Sequence, residues 1–255
     1  MDDSCNNFIR DKFELSLDRY TNDEIALAKK IHHRLDFRYD SFFATLLKRD
    51  GASLVLPEGI NIISWNYDFQ FEISYSNYSN STLHKTEKDL NIFGALNERK
   101  FDVSKPGIIK LNGTAGFVGK ENNFGLFDVK EHKLDSQSMN LLIKELCQNH
   151  SESIPAIRFA WTDDKLAKEA VYYSKEILQK SKVIVIIGYS FPYFNREIDR
   201  EIFSGLKKIR QPKIYLQVPE NSFQSISDRF KGVHPDIPLT PYTETDQFLI
   251  PNELE

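Results

Sequence analysis

Cysteine is nearly absent from the chain: Cys5 and Cys147 are the two in 255 residues. Two thiols cannot form a four-thiolate zinc site, and a single potential pair is weak ground for a disulfide scaffold, so the reading is of reduced thiols in a cytoplasmic protein. Charge excess is missing as well. The 33 Lys and Arg stand against 37 Asp and Glu, a formal charge of −4. That balance disfavours a nucleic-acid partner, which calls for a strongly basic face. Long apolar runs are lacking too. Val183 to Ile187 is the longest, with five residues where a membrane-spanning helix needs about 20, and the polar Met1 to Arg10 has no apolar signal segment, so no membrane association is expected. Neither a G-x-G-x-x-G nor a Walker-type glycine loop occurs, nor a G-x-S-x-G elbow. The six histidines have no metal-ligand spacing, so no metal is expected.

What is present is a globular composition, 40% hydrophobic, able to bury a large core. The first fifty residues read as a helical segment. Thr21 or Asn22 caps a helix with Leu27, Ile31 and Leu35 on its buried stripe, and a second short helix begins near Ser41 with Phe42, Phe43, Leu46 and Leu47 inward, ending near Gly51. From residue 51 to about 240 short apolar runs alternate with amphipathic segments, the pattern of an α/β domain with a parallel sheet flanked by helices. Residues 241 to 255 read as a tail.

The expected strands are Ile60 to Ser64, Ile108 to Leu111, Ala156 to Phe159, Val183 to Ile187 and Ile214 to Val218. The clearest helix is Asp163 to Lys180, with Leu166, Ala167, Ala170, Val171, Ser174, Ile177 and Leu178 at helical spacing. Another runs from Asn195, burying Ile198, Ile202, Phe203, Leu206 and Ile209. The polar stretch Tyr75 to Ser81 reads as a loop.

Open α/β sheets bind ligands beyond the carboxyl ends of their strands, so the residues there are the candidates. They are Asn66 and Asp68 after the first strand, Asn112, Gly113 and Thr114 after the second, Gly188, Tyr189 and Ser190 after the fourth, and Glu220 after the fifth. Each has a plainer reading: Asn66 and Asp68 as caps of the helix that carries Phe71 and Glu72, Asn112-Gly113-Thr114 as a strand-to-loop turn.

Order and spacing add weight. Ile62-Ile-Ser-Trp-Asn66-Tyr-Asp68 followed by Glu72 resembles the Thr-x-Asn-Tyr-Asp segment of the sirtuin-like family, especially the bacterial NAD-cleaving members of antiphage defence. Ile109-Lys-Leu-Asn112-Gly-Thr114 is similar to that family's Lys-Leu-His-Gly-Ser, and Val185-Ile-Ile-Gly188-Tyr-Ser-Phe-Pro192 to its Ile-Gly-Tyr-Ser-Leu-Pro. The resemblance spans roughly Gly51 to Glu220. It implies a Rossmann-like sheet that binds NAD, as substrate or ligand, and chemistry that breaks the nicotinamide-ribose bond. By resemblance Asn66 and Asn112 occupy the catalytic positions, Asn66 orienting ribose or water. Asp68 contacts the carboxamide, and Gly113, Thr114, Gly188, Tyr189, Ser190 and Glu220 lie along the nucleotide.

Two departures from the family pattern bear on activity. Its general-base histidine is replaced by Asn112, whose amide has no useful proton affinity near neutral pH. His84 and His132 have no spacing that would bring either in as a substitute. The family's Gly-Ala-Gly-x-Ser loop has no counterpart before Gly51, so the sheet is expected to be incomplete on its amino-terminal side. The absence of a zinc ribbon agrees with the bacterial defence branch. The expectation is an NAD-binding domain with impaired or no NAD glycohydrolase activity, or a non-catalytic module that binds NAD or an ADP-ribose-like nucleotide, or assembles as a homo-oligomer or defence-complex subunit.

Overall fold

The computed structural model describes residues 36–51, 53–95, 101–118, 123–125, 154–206 and 212–254. The expected helix bearing Leu27, Ile31 and Leu35, both cysteines and His132 lie outside these residues. The described chain is a mixed α/β structure with parallel sheets flanked by helices.

Helix α1 (Phe37–Leu46) starts earlier than its apolar pattern suggests, because the Asp36 carboxylate caps it by accepting the Arg38 N–H. A hairpin of β1 (Lys48–Asp50) and β2 (Ser53–Val55) turns at Gly51, where φ is +58°. Strand β3 (Asn61–Ser64) leads to α2 (Gln70–Ser79), α3 (Leu83–Asp89), β4 (Ile92–Phe93) and β5 (Gly107–Lys110). Strand β6 (Gly113–Val118) pairs with β7 (Asn123–Gly125) and β8 (Ile154–Ile157). The remainder alternates: α4 (Lys165–Lys180), β9 (Val183–Ile187), α5 (Arg196–Phe203), β10 (Lys213–Gln217), α6 (Glu220–Lys231) and β11 (Leu239–Tyr242).

Three expectations require correction. The single parallel sheet is instead two parallel sheets of three strands, ordered β4-β5-β3 and β9-β10-β11, so the candidate residues are divided between them, with Gly113 and Thr114 in the antiparallel strand β6. The run near Ala156 does form a strand, but β8 pairs antiparallel with β6 in a third sheet, since an apolar run encodes burial and not the direction of its neighbour. The polar stretch after Tyr75 is helical through Ser79, with Tyr75 and Ser76 turned inward and Asn77 and Tyr78 outward: Tyr75 is fully buried and its hydroxyl donates to the Leu54 carbonyl at 2.7 Å. Strand β11 runs across residue 240, and the chain beyond it packs on α1, with Phe248 edge-on to Tyr39 at 5.0 Å.

Strand β5 is the centre of the first sheet. Alternate side chains point to opposite faces, so Ile108 enters a cluster with Phe43, Phe71 and Tyr75, while Ile109 enters a larger cluster with Ala170, Val171, Leu216 and Phe230. The second cluster joins both parallel sheets through α4. That helix is set by the Asp164 carboxylate, which accepts the Ala167 N–H at 3.1 Å, a cap worth about 1 kcal/mol, and by Ala167, Ala170, Val171, Ser174 and Leu178 on one buried face.

Lys110 and Glu72 form a fully buried ion pair at 2.5 Å, and the ammonium also donates to the Asp68 carbonyl at 2.6 Å. Burial pushes the Glu72 carboxyl up, against the pull of the Lys110 charge. The lysine thus ties the turn after β3 to the end of β5. No helix among the described residues is long and apolar enough to cross a membrane.

Candidate functional site

The two parallel sheets meet at the carboxyl ends of β3 and β9. Trp65, immediately after β3, lies flat on Tyr189, just past β9, with ring centroids 5.5 Å apart and planes 7° from parallel. Tyr189 is held from the other side. Its hydroxyl donates to the Asp199 carboxylate, 3.0 Å from each oxygen, and accepts from the Asn195 amide at 2.9 Å. Burial, followed by the Asp199 charge, pushes the phenol up, so it remains a proton donor. Asp199 is itself buried, and desolvation lifts its carboxyl to about 7.

Beside Tyr189 the backbone of Gly188 adopts φ +62°, and a Cβ there would meet nothing within 4 Å. The glycine opens onto a cavity of about 240 Å³ between the ends of β9 and β10, lined also by Ile187, Gln217, Val218, Pro219, Arg38 and Thr245. Arg38 reaches it from α1, with its guanidinium anchored by Asp36 and by the Thr245 carbonyl at 3.4 Å. The hydrogen bonds from Arg38 hold the Asp36 carboxyl below its ordinary value. The side chain of Gln217 is fully engaged: its amide nitrogen donates to the carbonyls of Glu244 (2.6 Å) and Gln247 (2.5 Å), and its oxygen accepts the Leu249 N–H at 2.9 Å.

The candidate residues divide into three groups. Gly188 lines the cavity and Tyr189 adjoins it; Ser190 is exposed, its carbonyl accepting from Arg229 at 3.2 Å, and Glu220 is exposed in the first turn of α6. Asn66 and Asp68 lie toward α1. Asn66 is exposed and bonds the Tyr39 hydroxyl, whose proton affinity is pushed up to about 12, first by burial and next by the Asp68 charge. The Asp68 carboxylate accepts the Gln70 N–H at 3.2 Å, the local cap that Asp favours ahead of a helix.

Gly113 and Thr114 open β6 of the antiparallel sheet, and Asn112 immediately precedes them. The Asn112 side chain donates to the Trp65 carbonyl at 2.9 Å and accepts the Ala160 N–H at 3.3 Å, and its own carbonyl accepts the Arg158 N–H at 2.9 Å. Gly113 passes under β8, where a Cβ would lie 2.2 Å from the Ala156 carbonyl oxygen. Thr114 is buried and donates to the Gly94 carbonyl at 2.8 Å.

Arg38, Gln217, Thr245, Asn195 and Asp199 were absent from the sequence-level candidates. Asp199 carried a signal: it lies between Ile198 and Ile202 on the apolar face of α5, where a carboxylate needs a partner. Arg38 and Thr245 reach the cavity from distant parts of the chain and carried none. Among the described residues no group of three His, Cys, Asp or Glu side chains could hold a metal ion. Known protein-family profiles, curated proteins and solved structures give no match to the chain.

Proposed function

We propose that the chain is a sirtuin-like nucleotide-binding domain, related to bacterial NAD glycohydrolases, in which cleavage of the nicotinamide-ribose bond is impaired or absent. The observation that carries the reading is the cavity at the ends of β9 and β10: an open glycine backbone, a fixed guanidinium and the start of α6 around one space. A Cβ-free backbone lets a ribose or phosphate approach closely, and the guanidinium suits an anionic oxygen. At about 240 Å³ the space takes a ribose-phosphate unit, with the rest of a dinucleotide extending past Trp65 and Tyr189 toward Asn66.

Asn112 supports the inactive side of the reading. Both ends of its amide are committed to main-chain partners, and it takes up no proton at neutral pH. Residues Asn66 and Asp68 remain available to orient a ribose or carboxamide. Calorimetric titration with NAD and with ADP-ribose, paired with a nicotinamide-release assay, tests the proposal. The expected outcome is saturable binding of ADP-ribose, weakened at least about tenfold by Arg38→Ala and by Gly188→Val, with little or no nicotinamide released. No binding of either nucleotide overturns it. Rapid release of nicotinamide overturns the assignment of lost activity. A second reading, an assembly module without nucleotide chemistry, is favoured by the aromatic surface beside α5.

A further inference from the structure

Four exposed aromatic side chains stand on two connections, a loop after β8 and the 3-10 turn Tyr193–Asn195 ahead of α5. Phe159 and Trp161 follow β8 and are 42% and 46% exposed; Tyr193 and Phe194 follow β9 and are 80% and 68% exposed. A cluster of exposed apolar area of this kind marks a surface that a partner can cover. Three of the four side chains are ordered against one another. Phe159 and Trp161 stack at 4.8 Å with planes 6° apart, and Phe194 meets Trp161 edge-on at 5.8 Å.

The loop beneath them is fixed at several points. Asn112 binds the backbone of Arg158 and Ala160, both the N–H and the hydroxyl of Thr162 donate to the Phe159 carbonyl, and Asp164 caps the helix that follows. Holding an aromatic surface rigid in water has no benefit for the core. It lowers the ordering cost of binding something.

A cavity of about 260 Å³ opens next to Trp161, with Ala160, Val171 and Ile198 as its apolar floor and Asp163, Lys168 and Glu201 at its rim. Lys168 is paired with Asp163, and the Glu201 carboxylate has no partner among the described residues. The rim therefore carries a net negative charge beside an indole face. An anion is disfavoured there, which sets this cavity apart from the one at Gly188. A planar cation is favoured, by the indole through cation–π attraction and by the carboxylate through a charge-assisted hydrogen bond. The volume suits one long side chain. Phe194 extends the apolar surface beyond the cavity, where a small free molecule would leave it uncovered, while the Tyr193 ring carries the Arg196 guanidinium at 4.9 Å.

We propose that this cleft, with its aromatic apron, docks an arginine side chain of a partner polypeptide, the guanidinium lying on Trp161 toward Glu201 and the flanking chain covering Phe159 and Phe194. Arginine fits better than lysine because its flat, weakly hydrated head stacks on an indole while still donating to a carboxylate.

The chain has two tryptophans, so its indole N–H groups give two peaks in a nitrogen-15 correlation spectrum, assigned with Trp161→Phe. Titration uses the capped peptide Ala-Ala-Arg-Ala-Ala and its citrulline counterpart, which keeps the shape and removes the charge. The expected result is a saturable shift of the Trp161 peak with the arginine peptide, the Trp65 peak staying in place. Citrulline, Glu201→Gln and Phe194→Ala each weaken the response, citrulline by about tenfold. No shift up to roughly 10 mM peptide overturns the proposal, as does equal binding of the citrulline peptide. Free argininamide acting at the same concentration as the peptide overturns the polypeptide assignment. A Trp161 peak that moves on dilution of the chain alone places a second copy on the patch and likewise overturns it. Because the nucleotide titration reports on the Gly188 cavity and this one on Trp161, either reading can fail while the other stands.

Discussion

Gly113 and Gly188 follow parallel strands in the two different sheets and share a left-handed backbone, φ +68° and +62°. Beyond that they are opposites. The space above Gly113 is filled by the Ala156 carbonyl of β8, and the space above Gly188 is open cavity. The same residue type in the same conformation serves close packing in one place and access in the other. The surroundings follow suit: the first sheet ends in a sealed Lys110–Glu72 pair, the second in a half-open aromatic and carboxylate cluster. A glycine after a strand is therefore not by itself a sign of ligand approach.

Substitution can break the comparison. Gly113→Ala combines left-handed strain with a backbone clash and is expected to cost on the order of 5 kcal/mol in denaturant unfolding. Lys110→Met leaves Glu72 buried without its cation and frees the turn at Asp68, a loss of about 4 kcal/mol by the same measurement, and Lys110→Met with Glu72→Leu should recover most of it.

The second sheet should respond to pH instead. With its folded carboxyl raised from 3.8 to about 7, Asp199 contributes most below about pH 4, where it is neutral in the folded and unfolded chains alike. As pH rises the unfolded chain ionises first, so stability falls, and the loss is complete above about 7. Comparing wild type with Asp199→Asn between pH 4.5 and pH 8 should show the variant gaining about 2 kcal/mol relative to wild type, a figure discounted for residual solvation. A difference that stays constant with pH would remove Asp199 as the cause. Gly188→Ala, with strain but no clash, should cost only about 1 kcal/mol in stability.

These contrasts also show what sequence reading can reach. Val183 to Ile187 and the strand opening at Ile214 were legible because short β-branched and apolar runs bounded by charge and glycine have few other uses. Helix α4 was legible from its spacing and its Asp cap. Strand β11 was not, since Leu239–Tyr242 contains Thr240 and Pro241 and owes its place to pairing with β10. The antiparallel direction of β8 could not be read, because side-chain pattern fixes which face is buried and leaves the neighbour open. Within the candidate site, Gly188 was singled out from its position after an apolar strand, as were Gly113 and Ser190, which do not line the cavity. The commitment of Asn112 to Trp65 and Ala160 was not legible, because each contact depends on segments nearly fifty residues away.

The side chain of Gln217 has a consequence for the end of the chain. Its three polar contacts, to Glu244, Gln247 and Leu249, lie within six residues that also bring Thr245 to the cavity and Phe248 to α1. A single amide thereby works as a buckle, fastening the last stretch of polypeptide across the second sheet. Any pull on that stretch is transmitted to the cavity wall that Gln217 and Thr245 share.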